Sequence, residues 1–91
     1  MKSKNIIITG TSRGIGFEMV HLFANQGHNV LALSRNAQPV NNLHFENITS
    51  LAFDLCNSED YIKVEKFIQS EWKHVDILIN NAGAIPGGSI N

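Results

Sequence analysis

A β-branched run, Asn5-Ile6-Ile7-Ile8-Thr9, stops at a cluster of glycines, Gly10, Gly14 and Gly16, and an apolar stripe of helical period begins inside that cluster. A run of this kind suits a strand buried on both faces. From Gly14 onward, Ile15, Met19, Leu22 and Phe23 recur at i, i+4, i+7 and i+8, which predicts that they form the buried face of a helix ending near Gly27. Residues 28–34 are a second apolar run. Strand, glycine turn, helix and strand thus follow one another within about thirty residues, the span of a βαβ unit.

Residues 35–47 contain Pro39 and several asparagines with little periodicity, and read as a loop or a single helical turn. Residues 48–53 predict a third strand. Asn57 or Ser58 can cap a second long helix, with Glu59 and Asp60 in its first turn, where negative charge is favourable. Tyr61, Val64, Ile68 and Trp72 are its expected buried stripe. Residues 75–79 predict a fourth strand, and Asn80-Asn81-Ala82-Gly83 leads into a glycine- and proline-containing loop. Strands alternating with helices imply an α/β fold, a doubly wound parallel sheet with helices on both faces that binds nucleotides at the carboxyl ends of its strands. About four strands, in the order 3-2-1-4, make an incomplete sheet of this kind. The fourth would be an open edge, apolar on both faces, and a route to self-association.

Ninety-one residues make at most one domain. Seven Lys and Arg against eight Asp and Glu give a net charge of -1, with no basic block, so a nucleic-acid partner is not expected. The apolar run Ile6–Ile8 is too short for a signal peptide or a membrane span, and no membrane partner is expected. One cysteine, Cys56, cannot form an internal disulfide, which suits a reducing, cytoplasmic setting, and it is expected as a buried or half-buried thiol. His21, His28, His44 and His74 show no metal-ligand spacing, so no metal site is expected.

The glycines of Thr9–Gly16 let the backbone turn tightly and approach a pyrophosphate, with amides of the helix start facing it. Their spacing, Gly-x-x-x-Gly-x-Gly, differs from the standard Gly-x-Gly-x-x-Gly fingerprint. At these residues the sequence resembles the short-chain dehydrogenase/reductase family, whose non-extended members carry Thr-Gly-x-x-x-Gly-x-Gly between strand and helix, matched by Thr9–Gly16. Asn80-Asn81-Ala82-Gly83 and Asp54 match two further family landmarks in order.

The resemblance implies a Rossmann-type fold, with residues 1–91 as the amino-terminal dinucleotide-binding portion. It also implies that Gly10, Ser12, Arg13, Gly14, Ile15 and Gly16 surround the pyrophosphate and neighbouring ribose, that Asp54 and Leu55 meet the adenine, and that Asn81, Ala82 and Gly83 border the riboses. Thr9 and Asn80 would instead tie the first strand to the fourth. Taken without the other motifs, Asp54 reads first as a polar residue ending a strand.

Where an acidic residue would bind the ribose hydroxyls of NAD, the second strand ends in Ser34, followed by Arg35. A hydroxyl donor and a guanidinium suit a 2'-phosphate, which favours NADP(H) over NAD, although Arg35 can also be read as a solvated loop residue. Members of the family use a Tyr four residues before a Lys, with a Ser, for proton transfer to or from a carbonyl or alcohol. Tyr61 is the only tyrosine, it is followed four residues on by Glu65, and it is expected in the core. No catalytic residue is therefore assigned, and in the family those residues lie on a fifth strand and its following helix, which this sequence does not reach. The expected function is an NADP(H)-dependent oxidoreductase present as its cofactor-binding part, with a small carbonyl or alcohol substrate for a full-length form. The alternatives are a non-catalytic dinucleotide-binding module and a fragment that pairs with another chain.

Overall fold

A computed structural model describes residues 3–81. The strands are β1 (Asn5–Thr9), β2 (Asn29–Ser34), β3 (Ile48–Ala52) and β4 (Ile77–Ile79); the helices are α1 (Gly14–Asn25), the one-turn α2 (Gln38–Asn41) and α3 (Ser58–Phe67), which runs on as a π-helical turn over Ile68–Trp72. All strand pairings are parallel, and the order is β3-β2-β1-β4. The doubly wound architecture read from the sequence is present.

The sheet sorts its apolar residues by the two-residue period of a strand. Ile6 and Ile8 of β1 and Val30 and Ala32 of β2 face Val20 and Ala24 of α1 and Val40 of α2. Ile7, Leu31 and Leu33 point the other way, with Phe53, and are flanked by Val64, Phe67, Ile68 and Trp72. The helix facing this second side contributes no fully buried residue in α3, so this is the thinner side of the core. Asn57 caps α3 by accepting the Glu59 amide at 2.9 Å, as expected from its place before Glu59 and Asp60.

Two expectations about helix faces need correction. The line of α1 laid on the sheet is Gly16, Val20 and Ala24, whereas Ile15 is 71% and Leu22 50% exposed. At 3.6 residues per turn these two lie about 100 to 120° round the helix from Gly16. The apolar arc of α1 is wider than its contact arc, and the small residues Gly16 and Ala24 decide which part approaches the sheet. In α3, Tyr61 is 46% exposed and is not a core residue. Phe67 takes its place in the stripe, its ring 5.2 Å from that of Trp72.

At the amino ends of the strands a polar seam joins β4 to β1 and β2. The Asn5 amide donates to Asp76 Oδ2 at 2.8 Å, Asn5 Nδ2 to the His74 carbonyl at 3.2 Å, and Asn29 Nδ2 to Asn5 Oδ1 at 3.0 Å. The Asn5 amide holds the Asp76 carboxyl below the ordinary aspartate value, with burial opposing and the charges of His74 and Lys4 assisting. A lowered folded-state value means a contribution to stability that is complete above the unfolded pKa of about 4 and is lost as pH falls through the folded value. Urea melts at pH 7 and pH 3 should therefore show the chain losing more stability in acid than Asp76→Asn does. Equal losses would remove Asp76 from the acid response.

Candidate functional site

The chain winds from β1 to β2 to β3 on one side, then crosses to place β4 on the other side of β1. Such a reversal leaves a crevice at the carboxyl ends of the two strands that flank it, here β1 and β4. Residues 10–13 enter this crevice and α1 leaves it.

Short side-chain bonds hold the loop in shape. Thr9 Oγ1 donates to Asn80 Oδ1 at 3.0 Å, the β1-to-β4 tie expected from the sequence. Asn81 Nδ2 donates to the Gly10 carbonyl at 3.1 Å. Thr11, fully buried, donates both its amide and its Oγ1 to the Leu33 carbonyl, at 3.4 and 3.3 Å, and so fastens the loop to the end of β2. Thr11 was not among the residues singled out from sequence. The hydroxyl residue directly after the first glycine was the available signal, since a hydroxyl in a turn commonly bonds backbone.

Two glycines do different work here. Gly14 has φ +67°, and a Cβ built on it would meet nothing within 4 Å, so this side of the helix start faces open space. At Gly16 a Cβ would lie 2.2 Å from the Gly10 carbonyl oxygen and 2.7 Å from Asn81 Nδ2. Only a glycine lets the first turn of α1 sit this close to the loop and to Asn81. Arg13 occupies the N-cap in extended conformation, its side chain makes no capping hydrogen bond, and the first turn holds no acidic residue. Neither the N-cap side chain nor the first turn thus compensates the partial positive charge of the leading amides. An open approach over Gly14 and uncapped amides behind it fit the pyrophosphate of a dinucleotide.

Beyond β2 and β3 the expected adenosine-side residues come together in part. Arg35 Nη2 lies 3.9 Å from Asp54 Oδ1, with the two side chains 82% and 45% exposed. Ser34 is buried and its hydroxyl donates to the Asn36 carbonyl at 2.7 Å, so it serves the turn after β2 instead of facing outward as a free donor. Asn36 Oδ1 in turn accepts the Gln38 amide at 3.1 Å, which folds this segment back into α2.

Asp54 closes a tight turn, its Oδ1 accepting the Cys56 amide at 3.0 Å and its carbonyl the Asn57 amide at 2.9 Å. This turn carries Cys56 to the surface, where its thiol is exposed, contrary to the buried or half-buried position expected. The Asp54 amide donates to Asp60 Oδ2 at 2.9 Å; that bond, together with Lys63 at 3.0 Å, holds the Asp60 carboxyl below the ordinary aspartate value against the effect of burial. Tyr61 donates its hydroxyl to the Leu55 carbonyl at 3.0 Å and sets its ring edge-on to Phe53. Its role is to hold the loop carrying Leu55. An apolar cleft beside the crevice is lined by Leu33, Phe53, Leu55, Tyr61 and Leu78, with Thr9 and Asn80 at its polar end. Of the remaining expected site residues, Ser12 is half-buried, Arg13 and Ile15 are exposed, and Ala82 and Gly83 lie outside the described residues. Among the described residues no three His, Cys, Asp or Glu side chains gather as a metal site would require, and no helix is long and apolar enough to cross a membrane.

Comparison with known proteins places this geometry. The profile of a family described as short chain dehydrogenase matches residues 4–91. A probable short-chain type dehydrogenase/reductase of Helicobacter pylori is 38% identical over 84 residues, covering 92% of this chain and 31% of that protein. The structure of L-sorbose reductase from Gluconobacter frateurii, complexed with NADPH and L-sorbose, superimposes with a TM-score of 0.78 at 26% identity, covering 99% of this chain and 37% of that one. A 4-hydroxyisoleucine dehydrogenase complexed with NADH gives 0.76 at 29% identity, covering 91% and 35%. The chain thus spans about a third of the length of these relatives, between 31% and 37%.

Proposed function

Because this chain belongs to the short chain dehydrogenase family, we propose that it is the dinucleotide-binding part of an NADP(H)-dependent oxidoreductase acting on a carbonyl or alcohol. The observation that carries the reading is the uncapped start of α1 behind the open face of Gly14, set at the crevice between β1 and β4. Gly10, Ser12, Arg13, Gly14, Ile15 and Gly16 would hold the pyrophosphate and the adjoining ribose. Asn81, with Ala82 and Gly83, would border the riboses, and the cleft walled by Leu33, Phe53 and Leu55 suits the flat apolar faces of an adenine ring, with Asp54 at its edge. When bound, a nicotinamide dinucleotide supplies or accepts the hydride.

The choice of NADP(H) rests on Arg35, a largely exposed guanidinium one residue past the end of β2, with no acidic side chain at Ser34 to bind ribose hydroxyls. Because the Ser34 hydroxyl is engaged with Asn36, Arg35 supplies the discriminating charge. Charge-assisted hydrogen bonds to a phosphate contribute about 1.5 to 3 kcal/mol, or roughly 10- to 150-fold in affinity. Arg35→Ala is accordingly expected to weaken NADPH binding by about that factor while leaving NADH binding within about twofold, read as dissociation constants by nicotinamide fluorescence. Equal loss of both cofactors would sink the 2'-phosphate assignment. In this reading proton transfer falls to residues outside these ninety-one, since Tyr61 precedes Glu65 at the spacing where a lysine is needed and its hydroxyl is bonded to Leu55.

A further inference from the structure

Resting on the NADP(H) reading, we propose that Asp54 sets the cofactor selectivity of the site by competing with the 2'-phosphate for Arg35. Three observations carry this. The Asp54 carboxylate lies 3.9 Å from the Arg35 guanidinium as its ion-pair partner. It is anchored from below, because its Oδ1 accepts the Cys56 amide at 3.0 Å while its own amide is held by Asp60 at 2.9 Å. Arg35, by contrast, stands 82% exposed on a long stem and has a single ion-pair partner among the described residues.

A fixed carboxylate beside a movable guanidinium resembles in charge and shape the anion the guanidinium would otherwise clasp. A 2'-phosphate carries about -1.5 to -2 charges near neutrality against -1 for the carboxylate, and it can take both guanidinium arms. The phosphate therefore wins Arg35, but it must displace the pair and accept a negative neighbour in Asp54. Both effects act against NADP(H) and neither acts against a cofactor lacking the phosphate. Asp60 and Glu59 lie close along the chain, yet Asp60 is paired with Lys63 at 3.0 Å and Glu59 forms no ion pair with Arg35 among the described residues. Asp54 is thus a residue that acts on binding through Arg35, separately from any contact with adenine, which both cofactors share.

The test uses adenosine 2',5'-bisphosphate and adenosine 5'-monophosphate, which differ only in the phosphate concerned. Their dissociation constants are measured by calorimetry for the chain, Asp54→Asn, Arg35→Ala, the double variant and Glu59→Gln. Asparagine keeps the oxygen that accepts the Cys56 amide, so the turn is retained. Asp54→Asn is expected to raise the bisphosphate-to-monophosphate affinity ratio about 3- to 10-fold, the scale of one exposed ion pair plus one removed repulsion. Glu59→Gln should leave the ratio within about twofold, and in the Arg35→Ala background Asp54→Asn should produce only the smaller direct-repulsion part. An unchanged or lowered ratio in Asp54→Asn overturns the inference, as does an equal rise in Glu59→Gln, while the NADP(H) reading survives if the unmodified chain still prefers the bisphosphate. A chain that binds both probes equally overturns that reading together with the inference, and one that binds neither overturns dinucleotide binding itself.

Discussion

Gly16→Ala is expected to lower the melting temperature of the chain by about 10 to 20 °C and to abolish dinucleotide binding. The added methyl would stand 2.2 Å from the Gly10 carbonyl oxygen and 2.9 Å from its carbon, distances that backbone cannot relieve by a side-chain rotation. Either α1 lifts from the sheet or the Gly10 loop moves outward. The first separates Val20 and Ala24 from Ile6 and Ile8, and the second breaks the Asn81 bond to Gly10 and disturbs the crevice. Overpacking of this kind costs about 2 to 3 kcal/mol, and each kcal/mol is worth roughly 4 to 8 °C in a domain of this size. Gly14→Ala is the informative partner, because its methyl meets open space and the penalty is the left-handed φ of +67° alone, about 1 to 2 kcal/mol. Circular-dichroism melts of both variants decide the matter. A Gly16→Ala melt within a few degrees of the parent, or a Gly14→Ala melt below that of Gly16→Ala, would show that the close approach of helix and loop is not what Gly16 secures.

Ile8→Ala is expected to cost about 3 to 5 kcal/mol, enough to unfold much of the population of a marginally stable domain at room temperature. Ile8 is fully buried in the middle of the sheet and packs with Val20, Ala24, Val30, Ala32 and Val40, so truncation leaves a cavity bounded by strands on both sides and a helix above. Leu78→Ala, in a strand of equally apolar composition, should cost under about 1 kcal/mol, because Leu78 is 64% exposed and has little burial to lose. Urea titrations of the two variants side by side test this. Similar costs would mean that β4 is buried in solution, by self-association or by another chain, and would revise the reading of β4 as an open edge.

That contrast shows how far the residues could be read unaided. Ile6-Ile7-Ile8 and Ile77-Leu78-Ile79 look alike as strings, and both are strands. One lies between two neighbours and beneath two helices, and the other lies at the edge. Position in the sheet is a long-range property, so no local period announces it. The same limit explains α1: the stripe from Ile15 to Phe23 correctly signals a helix, but which arc touches the sheet depends on where the small residues Gly16 and Ala24 permit closest approach. Cys56 differs from its expected burial for a related reason, because the turn that Asp54 closes sets it at the surface, and Tyr61 lies on the part of α3 that stays exposed.

The site divides along the same line. The glycines between a strand and a helical stripe located the turn after β1, and the family resemblance pointed to the Thr9 to Asn80 tie that the structure contains. Spacing could not show that Thr11 fastens the loop to Leu33, that the Ser34 hydroxyl is turned inward to Asn36, or that Arg35 rests against Asp54. By itself, then, the order of residues determined the elements, their parallel winding and the position of the crevice, because these follow from local periodicity and from turn chemistry that acts within a few residues. Burial, the fastening of Thr9 and Thr11, and the meeting of Arg35 with Asp54 were decided only by the tertiary structure, because they depend on distances between segments some twenty to seventy residues apart that come together only once the sheet has assembled.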